Sequence, residues 1–496
     1  MEFLHRQLAT LQNHLAFVTT DAINWKGYVQ GFSWTVTLFE TYLLIRQYPL
    51  YSKKEPPAVL APHFPPGSDT FEKSQKYGRD KARFSMFSGL YKQCIDSAMI
   101  HYGFYAWSWS TAGKLLGLAG YGPEYEIVQS IVFVGVLVFC SSMPSLPLSI
   151  YSTFVLEEKH GFNKTTPALF ITDMLKGWAL GIVIGSPFLA AFLYVFQWAG
   201  DRFVPWLMAF LFVCSLSDPY NLHSHVFDRL TFQMSMVILY PTVIQPLFNK
   251  LTPLADGDLR TRTEALATKL NFPLTHLYEI DGSKRSSHSN AYFFVSRLFP
   301  HTPGAHFTFP FAQSKHIVIF DTLIKQSSAE EVEAVLAHEL GHWYYLHPTK
   351  MLAFSQLHIF TILALFPAFL HAPPLLRSFD FPKAVAAQPP TIIAFLLFQM
   401  ILTPLEAVVG IAMNALSRKF EWEADAFACE LQDKLADPGM KDMGDRLGRA
   451  LITLHVENLS TVWVDWMYSA YHHSHPTLME RLKGLEAFGE KRVKKE

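Results

Sequence analysis

Apolar residues in this chain fall into long blocks, at 27–45, 95–112, 127–150, 177–199, 351–371 and 391–415. Each block is close to the roughly 20 residues that a helix needs to cross a bilayer core. A seventh is expected at 206–246, where 206–213 and 233–240 are apolar but a polar stretch containing Pro219 separates them. The block at 95–112 carries Asp96 and His101 and is the weakest of the set by hydropathy. The first block does not read as a signal peptide: Asp21 precedes it, Glu40 lies inside it, and no small-residue cleavage site follows. A buried core helix could imitate one span, but not six or seven. The pattern predicts an all-α polytopic membrane protein with seven transmembrane helices and a small α+β domain. Residues 1–248 form an N-terminal membrane region, 249–350 a domain outside the bilayer, 351–415 the last two spans, and 416–496 the rest of that domain.

Composition agrees. Half the residues are hydrophobic, 15% are aromatic and 17% are charged. Mean hydropathy is +0.16, high for a soluble globular chain. A net charge of -1 gives no global field for nucleic acid, and no nucleic-acid partner is expected. Cys94, Cys140, Cys214 and Cys429 are scattered, which argues against a disulfide framework or a thiolate metal site.

Loop charges set an orientation. The segment after the first block holds Lys53, Lys54, Lys73, Lys76, Arg79, Lys81 and Arg83, and the one after the third holds Lys159, Lys164 and Lys176. The long segment 249–350 and the tail are also basic, whereas the alternate loops carry only Lys114, Arg202, Arg377 and Lys383. The positive-inside rule places the basic segments in the cytosol. An odd number of spans follows, with the C-terminus cytosolic and the N-terminus opposite.

The chemistry centres on His338-Glu339-Leu340-Gly341-His342. On a helix, positions i and i+4 share a face, so His338 and His342 can offer two imidazole nitrogens to one zinc ion, with Glu339 beside them as general base. Ser328 and Glu331 form a candidate capping box at the helix start, and Val332, Val335, Leu336 and Leu340 give it an apolar side. A buried amphipathic helix with two incidental histidines would show the same string. Hydrolytic zinc takes a third protein ligand and leaves a position open. Glu421 and Asp425, four apart on a probable helix, supply the best candidates: Glu421 to ligate and Asp425 to orient a ligand histidine. Glu423 falls on another face and is expected to be a solvated charge.

Several segments carry a family resemblance: 39–46 (Phe-Glu-Thr-Tyr-Leu-Leu-Ile-Arg), 153–163, 240–249, 283–292, the zinc helix, 417–425 and 468–476. Together they resemble the type 1 CaaX prenyl proteases, membrane zinc enzymes that process prenylated CaaX proteins and include the a-factor-converting enzyme. The resemblance implies seven helices around a water-filled chamber, a gluzincin-like zinc domain with one zinc ion, membrane lipid around it, and action as a monomer on prenylated CaaX peptides or proteins. It also implies residence in the endoplasmic reticulum, and possible N-terminal cleavage of pheromone-type precursors. Glu40, Asp96 and His101 become candidates for the chamber wall, although an interfacial or paired structural role fits each equally well. Asn290, Ala291 and Tyr292 resemble the edge strand on which the substrate peptide lies. His475 resembles the residue that stabilises the oxyanion, and Arg481 a supporting residue near Glu421. A general membrane quality-control protease, or a non-catalytic scaffold or transporter with a relic site, are the competing functions.

Two stretches depart from the family: 214–232, inside the fifth block, and 295–312, which holds Pro300, Pro303 and Pro310. They read either as natural insertions or as translated introns.

Overall fold

The computed structural model describes residues 16–64, 69–200, 203–204, 206–207, 244–288, 291–296 and 314–493. The expected fifth span and the two departing stretches lie almost wholly outside these residues.

The described chain is mostly helical. It begins with α1 (Trp25–Gln47), started by the Asn24 side chain accepting from the Gly27 N–H, and α2 (Thr70–His101). The expected span 95–112 is not one helix. α2 stops at His101, and α3 (Phe104–Leu118) starts after Gly103, whose φ of 65° lies in the left-handed region open to glycine. Next come α4 (Glu126–Glu157) and α5 (Pro167–Ala199), both longer than the blocks that predicted them.

The extramembrane domain holds a four-stranded sheet of β1 (Leu251–Pro253), β2 (Leu274–Ile280), β3 (Ala291–Ser296) and β4 (Ser314–Phe320), in the order β1-β2-β4-β3. β2 and β4 are parallel, and β3 runs antiparallel to β4 at the sheet edge, with Ala291 opposite Ile319 and Tyr292 opposite Val318. α6 (Asp258–Lys269) lies between β1 and β2 in the chain, and α7 (Ala329–Tyr344) follows β4. The Ser328–Glu331 capping box is present, with Ser328 Oγ accepting from the Glu331 N–H and Glu331 accepting from the Ser328 N–H.

α8 (His347–Leu370) is apolar enough to span, whereas the block 391–415 is split. α9 (Thr391–Ile401) and α10 (Thr403–Cys429) meet at a 61° bend beside Pro404, which has no N–H to carry the hydrogen-bond ladder onward. Among the described residues, α4, α5 and α8 are long and apolar enough to cross a membrane singly, and the bent pair makes a fourth. α11 (Met443–Glu457), α12 (Trp466–His472) and α13 (Leu478–Val493) complete the chain.

Two main cores result. Phe192, Phe196, Phe366, Phe369 and Phe398 pack among the apolar helices. Leu336, Leu340, Phe427, Leu447 and Leu478 join α7, α10, α11 and α13. Gly341 packs tightly against α10: a Cβ there would lie 3.1 Å from Phe427 Cβ and 3.2 Å from the Ala424 backbone. That contact explains a helix-weakening glycine in mid-helix. Buried Glu333 ties α7 to α6 through Arg262 (3.2 Å) and to α11 through Arg446 (3.1 Å). The end of α1 is fastened to the C-terminal segment, with Arg46 gripping Asp465 at 3.2 and 2.9 Å and Gln47 bonding to Trp463 O at 2.9 Å.

Candidate metal centre and active site

α7 and α10 pack side by side, which brings three donors together. His338 Nε2 and His342 Nε2 lie 3.2 Å apart. Glu421 Oε2 lies 3.4 Å from His338 Nε2, and Glu421 Oε1 lies 3.3 Å from His342 Nε2. Two imidazole lone pairs this close repel unless a proton or a cation sits between them. Burial, the largest influence on His338, opposes its protonation, and Arg481 opposes it too. The Asp425 and Glu421 carboxylates outweigh both and raise His338 to about 9. Glu421 is almost fully buried, and its Oε2 finds no hydrogen-bond partner among the described residues. A buried carboxylate oxygen without a hydrogen bond, converging with two imidazoles, fits a bound divalent cation.

The surrounding groups hold these donors in place. His338 Nδ1 lies 2.9 Å from Asp425 Oδ1, and Arg481 binds both oxygens of Asp425. Arg481 also lies 3.6 Å from Glu421 Oε2. The carboxylate therefore fixes the His338 ring with Nε2 facing the site. His475 lies at the mouth, its side chain 63% exposed, with Nε2 3.3 Å from Glu421 Oε1. Glu339 is part-exposed beside His338. Ala291 and Tyr292 open the edge strand β3, while Asn290 lies outside the described residues. Of the residues expected in the chamber wall, Glu40 accepts a hydrogen bond from Tyr471 at 3.1 Å, and Asp96 and His101 are exposed.

One expectation fails. Glu423 is not a free solvated charge: its Oε2 lies 2.8 Å from His347 Nε2, and His347 Nδ1 lies 2.9 Å from His342 Nδ1. Arg418 was also missed. It grips Glu480 with 2.9 Å contacts and donates to the His475 carbonyl at 3.2 Å, which holds the loop that carries His475. An arginine one helical turn before Glu421 was the available signal for Arg418. No helical periodicity points to His347, because a turn through Leu346, with φ at 55°, brings it back against α10.

Four of the segments that carried the resemblance meet in pairs. Segment 39–46 touches 468–476 through Glu40–Tyr471 and the Phe39–Tyr471 ring contact (5.4 Å). Segment 153–163 meets 283–292, with Phe162 stacked on His288 at 4.1 Å and Asn163 bridging to Ser286.

Residues 47–217 match the CAAX prenyl protease N-terminal family, described as five membrane helices, and residues 253–488 match peptidase family M48. CAAX prenyl protease 1 of Saccharomyces cerevisiae is 40% identical, over 95% of this chain and 97% of its own length. The chain belongs to the CAAX prenyl protease 1 family. The Arabidopsis thaliana homologue is 38% identical over 94% of this chain and 98% of its own, and the Homo sapiens homologue 36% over 93% and 95%. The crystal structure of S. mikatae Ste24p superposes with a TM-score of 0.78 at 41% identity, covering 94% of this chain and 99% of that one. Membership makes the chain a multi-pass membrane metalloendopeptidase, consistent with the donor set on α7 and α10.

Proposed function

We infer that the chain removes the C-terminal tripeptide after the prenylated cysteine of CaaX proteins, and also cleaves N-terminally in pheromone-type precursors. One observation carries this: the His338–His342–Glu421 triad, with His338 and Glu421 buried and His342 part-buried, lies within a chain 36–40% identical to CAAX prenyl proteases over more than nine-tenths of its length. His338, His342 and Glu421 would hold one zinc ion. Bound there, zinc supplies Lewis acidity, polarising a carbonyl and acidifying water.

The protein's own groups do the rest. Glu339 takes a proton from the attacking water as the water oxygen bonds to the scissile carbonyl carbon, and delivers it to the amine nitrogen as the C–N bond breaks. His475, with Asn290 as a second donor, stabilises the developing oxyanion. β3 lies at the sheet edge, and an extended substrate adds to it as a further strand, paired along Ala291 and Tyr292. Asp425 and Arg481 keep His338 oriented. No covalent intermediate with the enzyme forms.

The alternating basic loops support an odd number of spans, proposed as seven, with the catalytic domain on the cytosolic side, and the family supports placement in the endoplasmic reticulum membrane. The proposed enzyme acts as a monomer surrounded by lipid. The test presents the purified protein with a farnesylated peptide and its unprenylated twin, with products read by mass. Release of the tripeptide from the farnesylated peptide alone supports the reading. Equal cleavage of both would favour a general membrane protease.

A further inference from the structure

We propose that His347 and Glu423 form a positioning relay for His342, fixing its tautomer and ring angle so that Nε2 stays free for the metal; the proposal rests on the zinc reading above. The chemistry at the two ends fixes the direction of every bond between them. The Glu423 carboxylate can only accept, so His347 Nε2 carries the proton across the 2.8 Å contact. His347 Nδ1 is then the bare nitrogen, and His342 Nδ1–H donates to it across 2.9 Å. The remaining nitrogen of His342, Nε2, is left with its lone pair and points at Glu421 and His338.

His347 is held tightly enough to act this way. It is 2% exposed and stacks on Phe420 with ring centroids 4.2 Å apart and planes 9° apart. Phe420 and Glu423 both lie on α10, the helix that carries Glu421. A single helix thus supplies a ligand, the orienting carboxylate of one histidine (Asp425) and the terminus of the relay to the other. The two ligand histidines differ in their support. His338 leans directly on a carboxylate, whereas His342 reaches one through a neutral imidazole.

The test measures zinc affinity of the full-length protein in detergent by competition with a chromophoric chelator. Wild type is compared with Glu423→Leu, Glu423→Gln, His347→Phe and the Glu423→Leu/His347→Phe double variant. Loss of an orienting partner weakens metal binding about 10- to 100-fold, and that is expected for Glu423→Leu and for His347→Phe. Glu423→Gln keeps an oxygen that accepts from His347 and should stay near wild type. The double variant should bind no more weakly than the weaker single, because links of one chain fail together. Wild-type affinity in both singles, or losses that add in the double, would overturn the relay. If His347→Phe fails to fold, the comparison of leucine with glutamine at the part-exposed Glu423 decides alone. A wild-type protein that holds no zinc would instead bring down the zinc reading, and the relay with it.

Discussion

Arg481 clamps Asp425 with two hydrogen bonds, and Asp425 in turn sits 2.9 Å from His338 Nδ1. Both charged groups are buried, so neither can turn to water when the other is removed. Asp425→Ala, which leaves His338 Nδ1 without its accepting oxygen, should weaken zinc binding about 10- to 100-fold through the loss of the orienting group. Arg481→Leu should also lower thermal stability, by about 3–5 kcal/mol, because the buried Asp425 carboxylate loses its guanidinium counter-charge. Chelator competition and thermal unfolding on the same preparations separate the two effects.

Gly341→Ala should destabilise the α7–α10 interface by about 1–3 kcal/mol. Phe427 Cβ at 3.1 Å is fixed to its backbone, and neither it nor the Ala424 backbone at 3.2 Å can move without moving the helix that carries Glu421. A lower unfolding midpoint together with weaker zinc binding is expected. An unchanged midpoint would show that the interface has slack.

Burial holds the His455 imidazole down to about 4, and its Nδ1–H donates to the Leu451 carbonyl at 2.8 Å. The unfolded chain takes up this proton below about pH 6.5, whereas the folded chain does so only near pH 4. Stability is therefore unaffected above that window and falls as pH drops through it, by at most about 3 kcal/mol. His455→Gln should flatten the slope of unfolding free energy between pH 6.5 and 4, measured by denaturant titration. An unaltered slope would show that other groups set it.

The sequons at Asn163 and Asn458 should both remain unglycosylated. Asn163 bridges to Ser286, and Asn458 lies 3.2 Å from His288 Nδ1, so the two asparagines share one side of the membrane. In the proposed topology, which rests on the positive-inside rule, that side is the cytosol, away from glycosylation. A glycosidase-sensitive mobility shift that vanishes with Asn163→Gln would reverse the topology. A shift from Asn458 alone is incompatible with the packing of both segments against 286–288.

Much of the site was legible because it obeys helical phase. His338 with His342, and Glu421 with Asp425, are each four residues apart, and the structure puts each pair on one face. Glu423 defeated the same rule. Its partner His347 arrives by way of the Leu346 turn, and a left-handed turn at a leucine leaves no trace in periodicity. The apolar blocks gave the helices but not their breaks. Gly103 divides one block and Pro404 bends another, and both residues were visible in the sequence. Hydropathy averages over a window and does not register a single residue that changes the path of the chain. His475, in a loop, and Arg481, on α13, could only be found through the resemblance, because residues brought to a site by tertiary folding have no local signature.

The central claim is that His338, His342 and Glu421 hold a zinc ion at which Glu339 moves the proton. The direct measurement is zinc content and turnover of a farnesylated peptide by Glu339→Gln beside wild type. The amide keeps the size of the side chain but cannot accept the proton, and the loss of a general base costs about 10²–10⁴-fold. The account predicts one zinc per chain in both proteins and turnover reduced by at least that factor in the variant. Near-wild-type turnover in Glu339→Gln, or zinc absent from an active wild-type enzyme, would contradict it.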